Sequence, residues 1–335
     1  MKYRSLGRTG VKVSPFCLGS MMFGGRTEPK DSYAIIDQFI DRGLNFIDTA
    51  NVYSLGRSEE VVGEALKRNG KREQIVLATK VFGKMGDAPN MQGSSRRHII
   101  QQCEASLKRL QTDHIDLYQI HRPTSEIPID ETLRALDDLI RSGKVLYIGS
   151  STFSAWQVIE SLWVAKELGL NRFICEQPPY NILDRRIENE LLPMARTYGT
   201  AIIPWSPLAA GILSGKYKRG VKPPAQSRLA NSPPNSNQQK RLNDHVFDAL
   251  EGLEKIADAK GCTLSQFSLA WCLHQPGVTS PILGPRTMEQ FKDNLEALEV
   301  KITEEDCQKV DQLVKPGTAL SSFYAADFGP HQFHW

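Results

Sequence analysis

Eight short apolar segments alternate with amphipathic segments along this chain of 335 residues, and this alternation constrains the possible fold most strongly. Each apolar segment has the length and residue types of a buried strand. The segments are FCLGS (16–20), LNFIDTA (44–50), QIVLATK (74–80), HIDLYQIH (114–121), KVLYIGSS (144–151), RFICEQ (172–177), TAIIPWS (200–206) and TSPILG (279–284). Strands joined by helices pair in parallel through right-handed crossovers. The sequence therefore predicts an α/β fold, a (β/α)8 TIM barrel with residues 1–335 in one domain.

The segments between the strands have the pattern of surface helices. Asp31 precedes a run whose apolar residues share one face, and Gly43 follows this run as a helix terminator. Ser58 opens a run with acidic residues in its first turn and basic residues in its last, which suits the helix dipole. Further helices are predicted at 95–109, 130–142, 154–168, 185–198, 244–260, 263–274, 289–298 and 304–314.

Two segments depart from this regular pattern. Residues 218–243, after the seventh strand, contain four prolines and many Asn, Gln and Ser residues. Loops of this length are usually lids or disordered, and we expect a lid because the segment leaves from the carboxyl rim of the barrel. The tail, residues 316–335, contains five aromatic residues and is expected to dock in the substrate pocket, beneath the barrel or in a subunit interface. These residues are Phe323, Tyr324, Phe328, Phe333 and Trp335.

Charge and hydropathy exclude several classes of protein. The 41 basic and 38 acidic residues give a net charge of +3 without a basic block, so no nucleic-acid partner is expected. No stretch approaches the roughly 18 apolar residues that span a bilayer, and the first ten residues lack the apolar core of a signal peptide. We therefore expect a cytoplasmic protein that does not insert into membranes.

The cysteine and histidine spacing argues against a metal site. Six scattered cysteines form no C-x-x-C pair, which favours reduced, mostly buried thiols over disulfides. His331 and His334 form an H-x-x-H pair in the tail, but no third ligand is near them in sequence. We therefore expect no bound metal ion.

Four polar residues fall at or just past the carboxyl ends of three successive predicted strands. Asp48, Lys80 and His121 end the second, third and fourth strands, and Tyr53 lies five residues after Asp48. Active sites of barrels of this kind lie at the carboxyl ends of the strands. The sequence therefore predicts that these four side chains meet at one rim.

These four residue types suit the reduction of a carbonyl group. A free phenol has a pKa of about 10, too high for efficient proton donation near neutrality, and a neighbouring ammonium group stabilises the phenolate. Lys80 would be that cation for Tyr53, and Asp48 would keep the buried lysine charged. His121 would donate a hydrogen bond to the carbonyl oxygen. No nucleophile is evident, so the reductant would be a bound cofactor.

Each of the four residues also has a purely structural interpretation. Asp48 could be a turn cap, Lys80 a surface charge that ends a strand, and His121 a core histidine with satisfied hydrogen bonds. An inactive barrel that keeps the fold is a further alternative. The presence of all four suitable residue types at the ends of successive strands favours the catalytic interpretation.

The motifs around these residues resemble those of the aldo-keto reductase superfamily over nearly the whole chain. The motifs are LNFIDTANVYSLGRSEEVVGEAL (44–66), LATK (77–80), LYQIHRP (117–123), IGSSTFSAW (148–156), EQPPYN (176–181) and WSPLAAGILSGKY (205–217). The resemblance implies a (β/α)8 barrel and a nicotinamide cofactor, usually NADPH, that binds extended without a Rossmann fold. Consistently, no G-x-G-x-x-G motif follows the first strand.

The resemblance also implies a set of cofactor-binding residues. Ser151, Thr152 and Gln177 match the positions that hold the carboxamide, although asparagine is commoner in the family where Thr152 stands. Trp205 matches the aromatic residue that stacks on the nicotinamide ring. The positions that match the pyrophosphate site and its closing strap are Ser206, Leu208, Gly211 and Lys216, together with Ser227 and Arg228 in the long loop. Ser227 and Arg228 could equally be ordinary solvated loop residues.

The segment LGPRTMEQFKDN (283–294) resembles the adenosine end of the cofactor site. Gly284, Arg286, Gln290 and Asn294 match the family pattern there. An arginine near a helix start can pair with the 2′-phosphate that distinguishes NADPH from NADH, although it could also be a simple helix-start residue. We therefore expect NADPH as the cofactor.

Within the superfamily, the chain most resembles the branch that contains voltage-gated potassium channel β subunits and many microbial reductases. That branch implies possible homo-oligomers and an alternative function, an NADPH-sensing subunit that regulates a partner protein. For the reductase, the substrate would be a small molecule with a carbonyl group. From strand ends and loop positions, the substrate pocket is expected to include Met22, Phe23, Phe82 and Arg122.

Overall fold

A computed structural model describes residues 1–225, 227, 229–230, 232–233, 236 and 239–321. Within these residues the strands are short and lie at the predicted segments. They are β1 (Arg4–Ser5), β2 (Lys12–Val13), β3 (Cys17–Gly19), β4 (Phe46–Asp48), β5 (Val76–Val81), β6 (Ile115–Ile120), β7 (Val145–Ser151), β8 (Cys175–Gln177), β9 (Ala201–Ile202) and β10 (Ile282–Leu283). β1 and β2 form a small antiparallel hairpin that precedes the barrel strands.

Helices connect the strands from β3 onward. They are α1 (Pro29–Asp41), α2 (Arg57–Asn69), α3 (Arg96–Leu110), α4 (Ile129–Arg141), α5 (Ala155–Leu168), α6 (Leu191–Tyr198), α7 (Asp244–Ala259), α8 (Leu264–His274), α9 (Met288–Leu295) and α10 (Glu304–Leu313). Among the helices in the described part of the chain, none is both long and apolar enough to cross a membrane.

The eight strands from β3 to β10 form one parallel sheet in the order β10-β3-β4-β5-β6-β7-β8-β9. The two edges of this sheet meet each other. The N–H of Thr279 donates to the carbonyl of Ile202 at 2.7 Å, and the N–H of Ile282 donates to the carbonyl of Pro204 at 2.8 Å. The sheet therefore closes on itself, and the predicted (β/α)8 barrel is confirmed.

Two apolar clusters stabilise the barrel. The larger cluster lies between the sheet and the helices. The smaller cluster fills the barrel interior, where Phe46, Ala78 and Leu117 pack with Leu6 and Val13 of the β1–β2 hairpin. The hairpin therefore closes the amino end of the barrel, and the opposite end remains for the functional site.

The helix that was predicted at 185–198 begins later than expected. α6 starts at Leu191, and a short 3-10 turn occupies Arg186–Glu188. The side chain of Arg185 is 5% exposed and donates to Glu188, to Asp311 of α10 and to the carbonyl of Val314. These contacts stabilise the 3-10 turn, so a regular α-helical turn does not form there. Likewise, α1 begins at Pro29 and not at a cap on Asp31, because proline favours the first helical position.

The two irregular segments are described only in part. The long loop starts with Lys218 and Arg219, which form ion pairs with acidic residues of α7. At the end of the described chain, the N–H of Leu320 donates to the carbonyl of Leu183 at 2.9 Å, so the tail begins beside the loop after β8. The five tail aromatics lie outside the described residues, and the lid and the docked tail stay predictions.

Candidate active site

Strand alternation and register bring the polar side chains together at the carboxyl end of the barrel. Parallel pairing places Asp48 beside Ala78, and Lys80 beside Gln119. Alternate residues of a strand point to the same face, so Asp48 and Lys80 share the interior face with Phe46 and Ala78. The apolar interior therefore ends in a layer of polar side chains directly below the rim.

Lys80 is the centre of this layer. Its side chain is fully buried, and its Nζ forms an ion pair with Asp48 Oδ1. Nζ also donates to the Thr49 carbonyl at 2.8 Å and to the Tyr53 hydroxyl at 3.3 Å. Burial disfavours the charge of Lys80, but attraction to Asp48 and Tyr53 outweighs burial and raises the pKa of this lysine. The lysine is therefore a charged ammonium group next to the phenol.

Tyr53 is the first residue of a strained turn. The turn spans Tyr53–Gly56, and within it Ser54 and Leu55 have φ values of 48° and 52°. Such left-handed conformations cost about 1–3 kcal/mol each for residues other than glycine, and they cluster at functional sites. Before this turn the chain bends back after β4, where the N–H of Tyr53 donates to the Ala50 carbonyl at 3.1 Å, and the Tyr53 hydroxyl lies within hydrogen-bond distance of Lys80.

His121 follows β6 and lies against Tyr53. The two rings make an edge-to-face contact with centroids 5.7 Å apart. Burial lowers the pKa of His121 well below its usual range, and the nearby charges of Lys80 and Arg122 lower it further. The imidazole is therefore neutral near pH 7, with one ring N–H as a hydrogen-bond donor.

Two buried amides support the second oxygen of Asp48. Gln119 Nε2 donates to Asp48 Oδ2 at 3.1 Å, and Gln177 Nε2 donates to the same oxygen at 3.0 Å. Gln177 also donates to Gln119 Oε1 at 3.2 Å. Gln119 is not among the site residues predicted from the sequence. Its position two residues before His121, on the same strand face, is the signal that could have identified it.

The residues expected to hold the carboxamide lie next to the four polar residues of the rim. Ser151 ends β7, and its hydroxyl donates to the Gln177 carbonyl at 2.9 Å. Thr152 has a left-handed φ of 60°, and its hydroxyl donates to the Ser151 carbonyl at 2.6 Å. Arg122 donates to the His121 carbonyl at 2.7 Å and to the Thr152 hydroxyl at 3.3 Å. The ends of β6, β7 and β8 are therefore joined directly.

The expected pyrophosphate segment follows β9 and is also strained. Ser206, Ala209 and Ala210 have φ values of 55°, 49° and 57°. At Gly211, an added Cβ would come within 2.9 Å of Lys216 Nζ, so the glycine lets this amine lie close to the backbone. Leu208 directly precedes the 3-10 turn Ala209–Ser214 that contains Gly211. The segment forms a compact loop that carries one cation.

The remaining expected cofactor residues are on the last barrel unit and the long loop. Thr287 caps α9, and the N–H of Arg286 donates to Gln290 Oε1 at 2.9 Å. Gly284 is exposed, with open space where a Cβ would be, whereas Asn294 is 6% exposed. The placements of the last three expected residues differ. Trp205 follows β9 and is half-buried, Ser227 is buried, and Arg228 lies outside the described residues.

One predicted pocket residue is wrong. Phe23 is fully buried in the outer core between the sheet and the helices, so its ring is not available to a substrate. Its place in a tight turn after β3 directs it towards the helices. Met22, Phe82 and Arg122 are half-buried beyond the strand ends, where they were expected.

Within the described ranges, no three His, Cys, Asp or Glu side chains lie close enough together to hold a metal ion. His331 and His334 fall outside those ranges. The arrangement at the rim is a phenol and a neutral imidazole above a buried lysine–aspartate pair. Fold and site together define the class: a (β/α)8 barrel of the kind that carries enzyme active sites at this rim.

Comparison with known proteins agrees with this class. The profile described as "Aldo/keto reductase family" matches residues 15–315. A probable voltage-gated potassium channel subunit beta from Arabidopsis thaliana is 39% identical over 94% of this chain and 97% of its own length. The uncharacterized oxidoreductase YrpG from Bacillus subtilis is 39% identical over 97% of this chain and 100% of its own length. A putative channel subunit beta from Schizosaccharomyces pombe is 39% identical over 93% of each chain.

The chain belongs to the aldo/keto reductase family, a family of oxidoreductases. The predicted branch, with potassium channel β subunits and microbial oxidoreductases, is confirmed by these relatives.

Proposed function

We propose that this protein is an NADP-dependent reductase that converts aldehyde or ketone carbonyls to alcohols, reversibly. The observation that carries the proposal is the fully buried, charged Lys80, whose Nζ contacts both Asp48 and the Tyr53 hydroxyl. A buried ammonium group costs several kcal/mol when it is unpaired, so its contact with a phenol at the rim favours a chemical role. The protein would be cytoplasmic, and possible homo-oligomers are part of this proposal.

Each rim residue has one role in the proposed reaction. Tyr53 donates a proton to the carbonyl oxygen during reduction and accepts one during oxidation. The Lys80 ammonium group stabilises the phenolate that results, and Asp48 keeps that ammonium group in position. Neutral His121 donates a hydrogen bond that orients the carbonyl oxygen towards Tyr53. When bound, the nicotinamide cofactor supplies the hydride for the substrate carbon.

The residues present fit such a cofactor. Strained turns at Thr152 and Ser206 are of the kind found at ligand sites, and they lie beside the catalytic rim. Ser151, Thr152 and Gln177 would hold the carboxamide, and Trp205 would stack on the nicotinamide ring. The pyrophosphate and its closing strap would be held by Ser206, Leu208, Gly211, Lys216, Ser227 and Arg228.

The proposed preference for NADPH rests on the residues that would bind the adenosine end of the cofactor. Arg286 precedes α9, close to the amino end of a helix, which attracts anions. Its guanidinium group would pair with the 2′-phosphate through charge-assisted hydrogen bonds that NADH cannot make. Gly284, Gln290 and Asn294 would complete this end of the site. The cofactor would then be NADPH in preference to NADH.

The test is oxidation of NADPH and of NADH at matched concentrations with a panel of aldehydes, ketones and sugars. We expect turnover that favours NADPH, and we expect Tyr53→Phe to reduce the rate by about 10²–10⁴-fold, the usual contribution of a general acid. Arg286→Gln should remove most of the preference for NADPH. Equal rates for Tyr53→Phe and the wild type would contradict the assignment of the proton donor.

A second candidate function follows from the relatives. Two of the proteins described above are named as potassium channel β subunits, so a cofactor-sensing subunit that regulates a partner is the alternative. Tight NADPH binding without turnover on any substrate of the panel would favour it. Affinity capture with the wild-type protein, with and without NADPH, would then show whether a partner binds in a cofactor-dependent way.

A further inference from the structure

Glu176 has a fully buried carboxyl group that has no role in the proposed reaction. It lies between Cys175 and Gln177 on β8, and those two neighbours face the barrel interior. Side chains alternate along a strand, so Glu176 faces outward, towards the helices. There it pairs in register with Ser150 of β7. An unpaired buried carboxylate is unfavourable, so its partners indicate what it holds in place.

The partners of Glu176 all belong to the end of β7 and the turn that follows. The Ser150 hydroxyl donates to Oε2 at 2.5 Å, and the N–H of Phe153 donates to Oε1 at 3.1 Å. A backbone hydrogen bond from Thr152 also stabilises the ionised carboxylate. Glu176 therefore ties this turn to β8 from the side opposite the active site.

This turn needs such support because of its backbone conformation. Thr152 is β-branched and has a φ of 60°, an unfavourable combination outside a constrained site. On the far side of the turn, Ser154 and Gln157 form a capping box that fixes the start of α5. The turn is thus held between α5 and the Glu176 carboxyl group.

We propose that Glu176 is a positioning residue for the cofactor: it holds the Ser151–Phe153 turn in the conformation that contacts the carboxamide, and a negative charge on its carboxyl group strengthens that hold. The inference rests on the proposed function, in which Ser151 and Thr152 bind the nicotinamide carboxamide. Hydrogen bonds to an ionised acceptor are roughly twice as strong as those to a neutral one.

The surroundings of Glu176 set the pH at which this charge appears. Burial raises the pKa of Glu176 from 4.5 to about 8, against the opposing effects of the Ser150, Phe153 and Thr152 hydrogen bonds and the charge of Arg122. Cys175 is a neutral neighbour, because burial raises the pKa of its thiol well above the usual range. On β9 the facing residue is the apolar Ile202. The carboxyl group therefore gains its charge close to pH 8.

The direct test is the dissociation constant of NADPH, measured by calorimetry from pH 7 to 9. For the wild type we expect binding to tighten by about fivefold across this range, the ratio expected when a hydrogen bond gains a charged acceptor. Glu176→Gln keeps an acceptor for the Phe153 N–H without a charge, so its dissociation constant should not vary with pH. Ser150→Ala removes a donor to the charged form, so it should move the change to higher pH.

Thermal unfolding without cofactor gives an independent measurement. Between about pH 4.5 and 8 the folded state binds more protons at Glu176 than the unfolded state does, so this residue makes stability fall as the pH rises. Above pH 8 its contribution no longer changes. The Tm of Glu176→Gln, taken relative to that of the wild type at the same pH, should therefore rise from pH 6 to 8.

Asp137→Asn is the matched control. Asp137 is a buried carboxylate on α4 that bonds to Asn171 and Arg141, and neither of these partners belongs to the Ser151–Phe153 turn. It should keep the wild-type pH dependence of NADPH binding. If Glu176→Gln also kept that dependence, the positioning role would be excluded while the proposed function stood. If the wild type bound neither NADPH nor NADH, both would be excluded.

Discussion

The ammonium group of Lys80 contacts a carboxylate, a backbone carbonyl and a phenol, although its side chain is fully buried. Burial alone would remove its charge, and attraction to Asp48 and Tyr53 outweighs that effect. Asp48 is in turn held by the amides of Gln119 and Gln177. At the residue scale, the site is therefore a chain of buried polar contacts in which each group depends on the next.

Lys80→Met should destabilise the protein by about 3–5 kcal/mol, because it leaves Asp48 as an uncompensated buried charge. Urea denaturation measures this change. The double variant Lys80→Met/Asp48→Asn should recover much of the stability without recovering carbonyl reduction. Strictly additive free energies in this double-mutant cycle would contradict the coupling between the two side chains.

Thr152→Asn should stabilise the protein by about 1 kcal/mol, because asparagine tolerates the left-handed conformation that threonine adopts there with strain. The control is Thr152→Val, which stays β-branched and loses the hydroxyl that donates to the Ser151 carbonyl. Thermal and urea unfolding of the wild type and the two variants give their order of stability. A valine variant as stable as the asparagine variant would show that backbone strain is not the cause.

At the scale of elements, the irregular segment between β8 and α6 is held by one buried guanidinium group. Arg185 joins Glu188 of the 3-10 turn to Asp311 and the Val314 carbonyl at the end of α10. Its attraction to these carboxylates outweighs burial and raises its pKa, so the arginine stays charged. The segment therefore depends on a contact with an element far away in sequence.

Arg185→Met should destabilise the protein by about 3 kcal/mol, because Glu188 and the Val314 carbonyl lose a buried partner. Arg96→Met is the control, since both side chains of its ion pair with Asp138 are 49% exposed. This control should cost less than about 1 kcal/mol. Equal losses in urea denaturation would show that burial of the arginine does not decide the effect.

At the scale of the whole molecule, the two ends of the barrel differ in the residues that fill them. The β1–β2 hairpin packs Leu6 and Val13 into the interior at the amino end, and the polar layer of the site covers the carboxyl end. Stability and the proposed chemistry are therefore separated along the barrel axis, as is usual for this architecture.

Leu6→Ala should destabilise the protein by about 2–5 kcal/mol, because the fully buried side chain leaves a cavity in the interior. The affinity for NADPH and the kcat of the folded enzyme should not change. Lys12→Ala, an exposed residue of the same hairpin, is the control and should be neutral. A large loss of kcat in Leu6→Ala at a temperature where it is fully folded would contradict this separation.

Much of the fold and the site could be predicted from the sequence, because both depend on local periodicity and on strand order. The eight apolar segments predicted the eight barrel strands, and parallel pairing implied that Asp48, Lys80 and His121 would meet. The limits appear where a residue's neighbours come from other elements. Phe23, expected in the pocket, packs in the outer core instead, because the turn after β3 determines its direction.

The sequence by itself determined the barrel, the residue types at its carboxyl rim and the family, since periodicity and motifs are properties of the linear chain. Only the tertiary structure decided which polar groups support that rim. Gln119 donates a hydrogen bond to Asp48, and Glu176 accepts one from the turn that contains Thr152. In the sequence, both are ordinary strand residues. Their roles follow from burial and from partners on adjacent strands, because a hydrogen bond depends on distances that only the folded chain defines.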